Sequence, residues 1–466
     1  MADGNTGVPR GNYLIRNGAV ITVDPNLGTL PKADVLVRDG TILGIGVNLV
    51  ADDAETIDAT DMIMMPGLID THYHMWSAIG RNFLSDDGFD YFPVKWATAE
   101  HYGPEDFHNS VMLGLVELAN SGVTCVHNWS HNNRSPAHVD GELEAHRNSY
   151  LRARYSLGHV DRMAVDEVNR FGDLDRVQSD WFADDARLDR LVHLGVNLRG
   201  TVQSEATVFH EEMQDMLRRG LAVSIHANQT RPTVDDDAAD YERRGYLGPK
   251  FLFCHYLWAT DSDREAMART GTPLSYATHS ELRLGDHGDA RASLMKARAA
   301  GISVSLSSDA SSIAPPNMFE NMRLTWNMCI PWKATDTEDM KPLGFVEAIE
   351  MATINGARAL GLGDVTGSLT PGKRADLILI RTTDVNIAPL ANIETTVVQS
   401  ATPANVDTVM VDGRIVKRDG RLTAYDVPAI VARAKESAHR VREAAGGNLT
   451  PSADGCGNPI HRASAH

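Results

Sequence analysis

Short apolar runs alternate with amphipathic stretches through the middle of the chain. We predict strands at seven of these runs, after a first strand near residue 70: 123–126, 153–157, 196–198, 222–226, 251–255, 273–276 and 302–306. Helical patterns such as 107–120 and 262–270 lie between them. Repeated strand–helix units of this size predict a parallel sheet with helices outside, and about eight of them close into a barrel. The pattern therefore predicts an α/β fold, a (β/α)₈ TIM barrel.

Both ends of the chain are instead rich in β-branched residues and turn signals. Residues 13–23 and 33–45 are broken by Asn17-Gly18 and Asp39-Gly40, two hairpin signals. The same texture returns at 375–380 and 406–417. We expect the N- and C-terminal segments to fold together into one composite β-sandwich domain. The predicted division is 1–65 (first part of the sandwich), 66–362 (barrel), 363–425 (second part) and 426–466 (C-terminal helix and tail).

Composition and net charge limit the classes of molecule that the protein can bind. The 466 residues are 42% hydrophobic, which is enough for a large core, and the formal net charge is −18. An acidic chain disfavours nucleic acid and anionic membrane surfaces, which need a basic face, and leaves small molecules as substrates. The four cysteines are scattered without CxxC spacing, no run reaches the ~18 apolar residues of a membrane span, and Met1 to Gly11 lack the apolar core of a signal peptide. We expect a cytoplasmic protein.

Candidate metal ligands stand where the predicted strands end. His72 and His74 follow an apolar run that ends in Pro66-Gly67, and alternate residues of a strand project from one face, about 7 Å apart. A lone His-x-His pair is often structural. However, His226, His255 and Asp309 also end strands, and a barrel brings such ends around one axis. The spacing therefore predicts a shared metal site.

Several motifs identify the family that this chain resembles. They are Pro-Gly-Leu-Ile-Asp-Thr-His-Tyr-His at 66–74, Ser-Gly-Val-Thr at 121–124, His226, His255, Ser-Asp at 308–309, and the segments 351–357 and 367–376. Together they resemble the amidohydrolase superfamily of metal-dependent hydrolases. The resemblance implies a distorted (β/α)₈ barrel with a composite β domain.

The same resemblance assigns the site. It implies that His72, His74, His226 and Asp309 bind one divalent metal, and that His255 is either a further ligand or the group that polarises the substrate. Imidazole and carboxylate suit zinc, cobalt, iron or manganese. The segment 196–198 carries no Lys that could be carboxylated to bridge two ions, so we expect one ion per subunit.

Chemistry follows from these residue types. A divalent ion lowers the pKa of bound water to about 7. Asp309 can accept the proton of that water and pass it to the leaving group. His255 can stabilise an oxygen that becomes negative during attack.

Position 229 departs from the deaminases of the superfamily. Those enzymes usually show His-x-x-Glu, whose Glu protonates a ring nitrogen, whereas here the run is His226-Ala227-Asn228-Gln229. A glutamine amide cannot shuttle a proton near neutral pH. Gln229 therefore favours a substrate with an exocyclic carbonyl: an amide, urea, carbamate or thiocarbamate. Length, the Asn-Gln pair and the motif set also resemble the branch that includes molinate hydrolase and the phenylurea herbicide hydrolases.

Two alternatives stay open. In a deaminase of a triazine, purine or pyrimidine, His279 or Glu281 could replace the missing Glu, because both lie just beyond a predicted strand. A catalytically inactive, amidohydrolase-like assembly protein is the alternative of another class, and the retained His and Asp residues argue against it.

The substrate contacts are predicted from their positions after the barrel strands rather than from a motif. Trp76 follows the first strand of the barrel, while Trp129 and His131 follow the second. Loops at that face line the site in such barrels, so we expect these residues to contact substrate together with Gln229, His279 and Glu281. The alternative is that the aromatic side chains only pack the loops. We also expect a homo-oligomer, a dimer or a tetramer.

Overall fold

The computed structural model describes residues 7–84, 90–169, 171–184, 186–201, 203–227, 237–285, 288–331 and 337–447. Its strands are β1 Tyr13–Ile21, β2 Thr29–Arg38, β3 Thr41–Gly46, β4 Glu55–Asp58, β5 Met62–Pro66, β6 Leu68–Tyr73, β7 Val123–Ser130, β8 Arg152–Leu157, β9 Val192–Leu198, β10 Ala222–Ala227, β11 Phe251–His255, β12 Leu274–Tyr276, β13 Val304–Leu306, β14 Leu377–Arg381, β15 Val406–Val411, β16 Arg414–Arg418 and β17 Arg421–Leu422.

The helices connect and flank these strands. They are α1 Tyr91–Thr98, α2 Pro104–Asn120, α3 Pro136–Ser149, α4 Leu174–Val177, α5 Ala206–Arg219, α6 Asp237–Arg243, α7 Asp261–Thr270, α8 Thr278–Leu284, α9 Ala290–Ala299, α10 Met318–Met328, α11 Phe345–Met351, α12 Ile354–Ala359, α13 Ile393–Thr395 and α14 Val427–Ala444. None of the helices in the described ranges is both long and apolar enough to span a bilayer.

The strands β6 to β13 form the predicted barrel. They pair in sequence order and every pair is parallel. The barrel closes where the chain after β13 meets the end of β6: the Asp309 N–H donates to His72 O at 2.8 Å, and the His74 N–H donates to Asp309 O at 2.7 Å. Three candidate ligands therefore lie on the closing seam. The α/β barrel prediction is confirmed.

The two ends of the chain build one sheet, as predicted. Its order is β17-β16-β15-β14-β5-β1-β2-β3, with β4 beside β1, and the antiparallel β5–β14 pair joins the N- and C-terminal parts. Side chains alternate across this pair, since Met64 and Leu377 enter a small core inside the β domain while Met65 and Ile378 join the large barrel core. The composite β domain is thus confirmed; its exact boundaries stay a prediction.

One turn prediction is wrong. Asn17-Gly18 does not form a hairpin, because β1 runs through it with a register shift between Ile15 and Gly18. Asn17 takes a φ of 69°, and its N–H donates to Asp34 Oδ1 at 3.0 Å. Asn and Gly tolerate the left-handed backbone of a bulge as well as that of a turn, so the dipeptide alone does not distinguish them. Asp39-Gly40 does connect β2 to β3.

A buried ion pair joins the barrel to the β domain. Arg152 of β8 donates through Nε and Nη2 to the carboxylate of Asp376, at 2.7 and 3.2 Å. Asp376 also accepts from the Asp412 N–H at 2.8 Å, at the end of β15. Because each charge is hydrogen-bonded, the pair ties the position of the barrel wall to that of the second sheet.

Candidate metal centre

Four ligand atoms converge at the carboxyl end of the barrel. His226 Nε2 lies 3.3 Å from His72 Nε2 and 3.2 Å from His74 Nε2. Asp309 Oδ1 lies 3.2 Å from both His72 Nε2 and His74 Nε2. Ligands about 2.0 Å from a tetrahedral ion are separated by about 3.3 Å, so these spacings fit a single zinc-sized ion. The three imidazoles and the carboxylate are also the donor types that such ions prefer.

Strand geometry brings these atoms together. His72 belongs to β6, and His74 lies directly after the end of that strand. Because successive residues of a strand project to opposite sides, Tyr73 between them points away and pairs with Ser311. Asp70 holds the seam, because its Oδ1 accepts from the N–H of His72 at 3.2 Å and from that of Ser308 at 3.1 Å. Asp309 adopts a φ of 63°, which turns its carboxylate toward the imidazoles.

Burial sets the protonation of the cluster. Desolvation lowers the pKa of His72 to about 4 and holds the pKa values of His74 and His226 well below the usual range. Burial alone would raise the pKa of Asp309, but the imidazoles of His72 and His74, whose Nε2 atoms lie 3.2 Å from its Oδ1, outweigh burial and keep that pKa well below normal. Neutral imidazoles and an ionised carboxylate are the states that bind a metal.

His255 lies beside this cluster, paired to an acid. A ligand atom of His255 lies within 4.8 Å of those of His72 and Asp309. Its Nδ1 is 2.9 Å from Glu281 Oε1, and both side chains are buried. Burial would lower the pKa of His255, but Glu281 outweighs it and the pKa is raised.

The two predicted aromatic contacts, Trp76 and Trp129, are both buried. Trp129 lies within β7 rather than after it, is fully buried, and its ring centroid is 4.1 Å from that of His226. Trp76 packs against Tyr102 and Phe107. Contact of these two rings with substrate stays a prediction.

The other predicted contacts separate into three places. His131 is buried against His74, with 3.2 Å between their Nδ1 atoms. His279 of α8 is partly exposed, with its Nε2 3.6 Å from Glu320 Oε1. Glu281 lies behind His255, so its hydrogen-bonded oxygen faces the imidazole. Gln229 lies outside the described residues.

Sequence reasoning missed two neighbours of the cluster. Ser280 donates from Oγ to Asp309 Oδ2 at 2.5 Å, and Asp161 Oδ1 lies 3.2 Å from His131 Nε2. Ser280 lies between the predicted substrate contacts His279 and Glu281. Asp161 stands in an irregular loop after β8, where no periodicity or motif marks it.

The fold and the site together define a barrel hydrolase, and the comparisons with known proteins agree. The model of the amidohydrolase family matches residues 63–416, so this chain belongs to that family. The predicted metal-dependent amidohydrolase is thereby confirmed. A 5'-deoxyadenosine deaminase of Methanosarcina mazei is 26% identical over 444 residues, which are 92% of this chain and 98% of that protein.

Solved structures show the same fold. An adenosine deaminase from Xanthomonas campestris with bound zinc superposes with a TM-score of 0.78 at 20% identity, covering 93% of this chain and 100% of that one. Atrazine chlorohydrolase from Arthrobacter aurescens, complexed with zinc, gives a TM-score of 0.77 at 20% identity and covers 91% of this chain and 100% of its own.

Proposed function

We propose that this enzyme hydrolytically removes an amino group from a nitrogen heterocycle, with adenosine-type compounds as the first class to test. The similarity to a 5'-deoxyadenosine deaminase over nearly the whole of both chains carries the proposal. This differs from the carbonyl substrate that the sequence favoured, and it agrees with the deaminase alternative.

The metal assignment is part of the proposal. His72, His74 and His226, through Nε2, and Asp309, through Oδ1, would hold one divalent ion, because their spacing and protonation states fit it. Zinc, cobalt, iron and manganese all suit these ligands. When bound, such an ion lowers the pKa of water and polarises the group under attack.

The proton steps fall to two residues of the chain. Asp309, held by the Ser280 hydroxyl, accepts a proton from the attacking water and delivers it to the departing amine. His255, whose pKa is raised by the buried Glu281 beside it, donates to the ring nitrogen that becomes negative. The His255–Glu281 pair therefore supplies the proton that Gln229 cannot, and it favours the polarising role of His255 over the ligand role.

Hydrolysis of a urea, amide, carbamate or thiocarbamate is the second candidate. The observation that favours it is Gln229 in place of the usual Glu. An exocyclic carbonyl needs no ring protonation, and the same His255 would stabilise its developing negative oxygen.

Parallel assays test both candidates. Metal content of the purified protein comes first, followed by ammonia release from 5'-deoxyadenosine, adenosine and an aminotriazine. Amine or thiol release from a phenylurea and a thiocarbamate is measured beside it. We expect stoichiometric metal and ammonia release. Turnover of the carbonyl compounds alone would replace the first candidate by the second, and absence of both metal and turnover after adding zinc, cobalt or manganese would favour the assembly protein.

A further inference from the structure

One histidine of the metal cluster, His74, differs from the other two in what surrounds its Nδ1 atom. The Nδ1 atoms of His72 and His226 have no hydrogen-bond partner among the described residues, whereas His74 Nδ1 meets His131 Nδ1 at 3.2 Å. Only one of these two nitrogens can carry the proton of that contact. The tautomer of His131 therefore decides the tautomer of His74.

The indole of Trp76 determines which of the two Nδ1 atoms carries the shared proton. Trp76 Nε1 lies 3.0 Å from His131 Nδ1, and an indole N–H can only donate. His131 Nδ1 must then accept, even though the Trp129 carbonyl at 3.4 Å would suit a protonated Nδ1. The proton of His131 resides on Nε2, so the shared His131 lone pair accepts from both Trp76 and His74.

An acid on the opposite side stabilises the same tautomer. Asp161 Oδ1 accepts from His131 Nε2 at 3.2 Å, and Lys95 Nζ lies 3.2 Å from the same oxygen. Burial would raise the pKa of Asp161, but Lys95 and His131 hold it well below its usual range, so it is an acceptor at neutral pH. All three side chains are largely removed from solvent, so water competes little for these bonds.

We propose that His131 and Asp161 are positioning residues for the metal centre: Asp161 fixes the proton of His131 on Nε2, and His131 fixes that of His74 on Nδ1. This leaves the Nε2 lone pair of His74 directed at the other ligands and at the metal. The inference rests on the ligand assignment made under Proposed function. Partners of this kind orient ligands in metal sites, and their loss typically weakens metal affinity about 10–100-fold.

Four variants of the full-length enzyme test the chain of bonds, with zinc affinity measured by competition against a chromophoric chelator. His131→Leu removes the acceptor and should weaken zinc binding about 10–100-fold. His131→Asn keeps an oxygen acceptor near the position of Nδ1 and should stay within about threefold of wild type. Asp161→Asn can present either an oxygen or an NH₂ to His131, so it should weaken binding by roughly tenfold. Asp173→Asn is the matched control, because Asp173 pairs with Arg176 and touches none of these residues.

A spectroscopic readout separates positioning from packing. In the cobalt-substituted enzyme, the paramagnetically shifted N–H signal of His74 should be protected from solvent exchange in wild type and His131→Asn, and lost in His131→Leu. Equal zinc affinity in the Leu and wild-type enzymes would overturn the inference, as would an Asn variant as weak as the Leu variant.

Two further outcomes are equally decisive. If His131→Leu does not fold, the comparison of Asp161→Asn with Asp173→Asn decides, and equal affinities would overturn the inference. If wild type binds no stoichiometric zinc or cobalt, the ligand assignment itself fails and takes this inference with it. Normal metal content with unaffected variants overturns only the positioning role.

Discussion

Glu281 Oε1 lies 2.9 Å from His255 Nδ1, where His255 ends β11 and Glu281 belongs to α8, the helix that follows the neighbouring strand β12. The second oxygen of Glu281 has no hydrogen-bond partner among the described residues, so the imidazole is the main group that compensates the buried carboxylate. A single substitution of Glu281 would leave the buried His255 without its anionic partner.

Replacing Glu281 should therefore impair catalysis more than binding. In Glu281→Gln the imidazole loses its anionic partner, its pKa falls and less of it carries the proton to be donated, so kcat should fall about 10²–10⁴-fold, the usual contribution of a general acid. Steady-state kinetics on the best substrate measure this. Glu242→Gln makes the same substitution at a partly exposed residue of α6 that pairs with Arg269, so it is the matched control and should change kcat less than about threefold. A normal kcat in Glu281→Gln would remove His255 from the proton step.

Gln229→Glu should increase ammonia release from a ring amine. The new carboxyl group can protonate a ring nitrogen, which the glutamine amide cannot do, so a gain of at least about tenfold in kcat/KM is expected. Asn228→Asp adds the same charge one position earlier and serves as the control. Equal effects of both substitutions would mean that charge alone, rather than a placed proton donor, changes the rate.

Metal removal should abolish turnover and lower the melting temperature. The four converging ligand atoms are largely buried and a bound ion would compensate their lost hydration, and an ion present at about 1,000 times its Kd stabilises the folded state by about 4 kcal/mol. Differential scanning calorimetry before and after dialysis against a chelator measures the shift, and added zinc, cobalt or manganese should restore both properties. A melting temperature unchanged by chelation of a metal-containing sample would place the ion elsewhere.

Glu142 should make the free energy of unfolding depend on pH. This residue of α3 is fully buried, and burial raises its pKa from an ordinary 4.5 to about 8. Between these values the folded protein keeps a proton that the unfolded chain releases, so stability falls as pH rises from about 5 to 8 and then levels off. The isosteric Glu142→Gln variant should be more stable than wild type at pH 8.5, by roughly 1–3 kcal/mol, and about equal at pH 5.

Urea denaturation at the two pH values measures that difference. Glu144→Gln changes a more exposed carboxylate of the same helix, which pairs with Arg147, and should show no such pH dependence. If Glu142→Gln destabilises the protein equally at both pH values, the carboxyl group is not titrating in this range.

Local pattern was enough to predict the barrel and its candidate ligands. Most barrel strands contain a short apolar run, and each ligand stands at or just past the end of a strand, so the parallel order of the strands brings His72, His226 and Asp309 to one place. The composite β domain could also be predicted, because both ends of the chain carry strand-like segments rich in β-branched residues. The role of the Asn17-Gly18 dipeptide could not be predicted in this way, because its left-handed backbone conformation is compatible with either a bulge or a turn.

Only the tertiary structure decided which atoms meet around the ligands. The contacts of Glu281 with His255, of Ser280 with Asp309, and of Asp161 through His131 with His74 join residues that lie far apart in the chain, on strands, on α8 and in loops. No periodicity encodes such contacts, because they depend on how the loops pack over the barrel rather than on the conformation of any one segment. The sequence alone determined the residue types of a metal centre and the strands that carry them, and the packing of the loops determined their hydrogen-bond partners and protonation states.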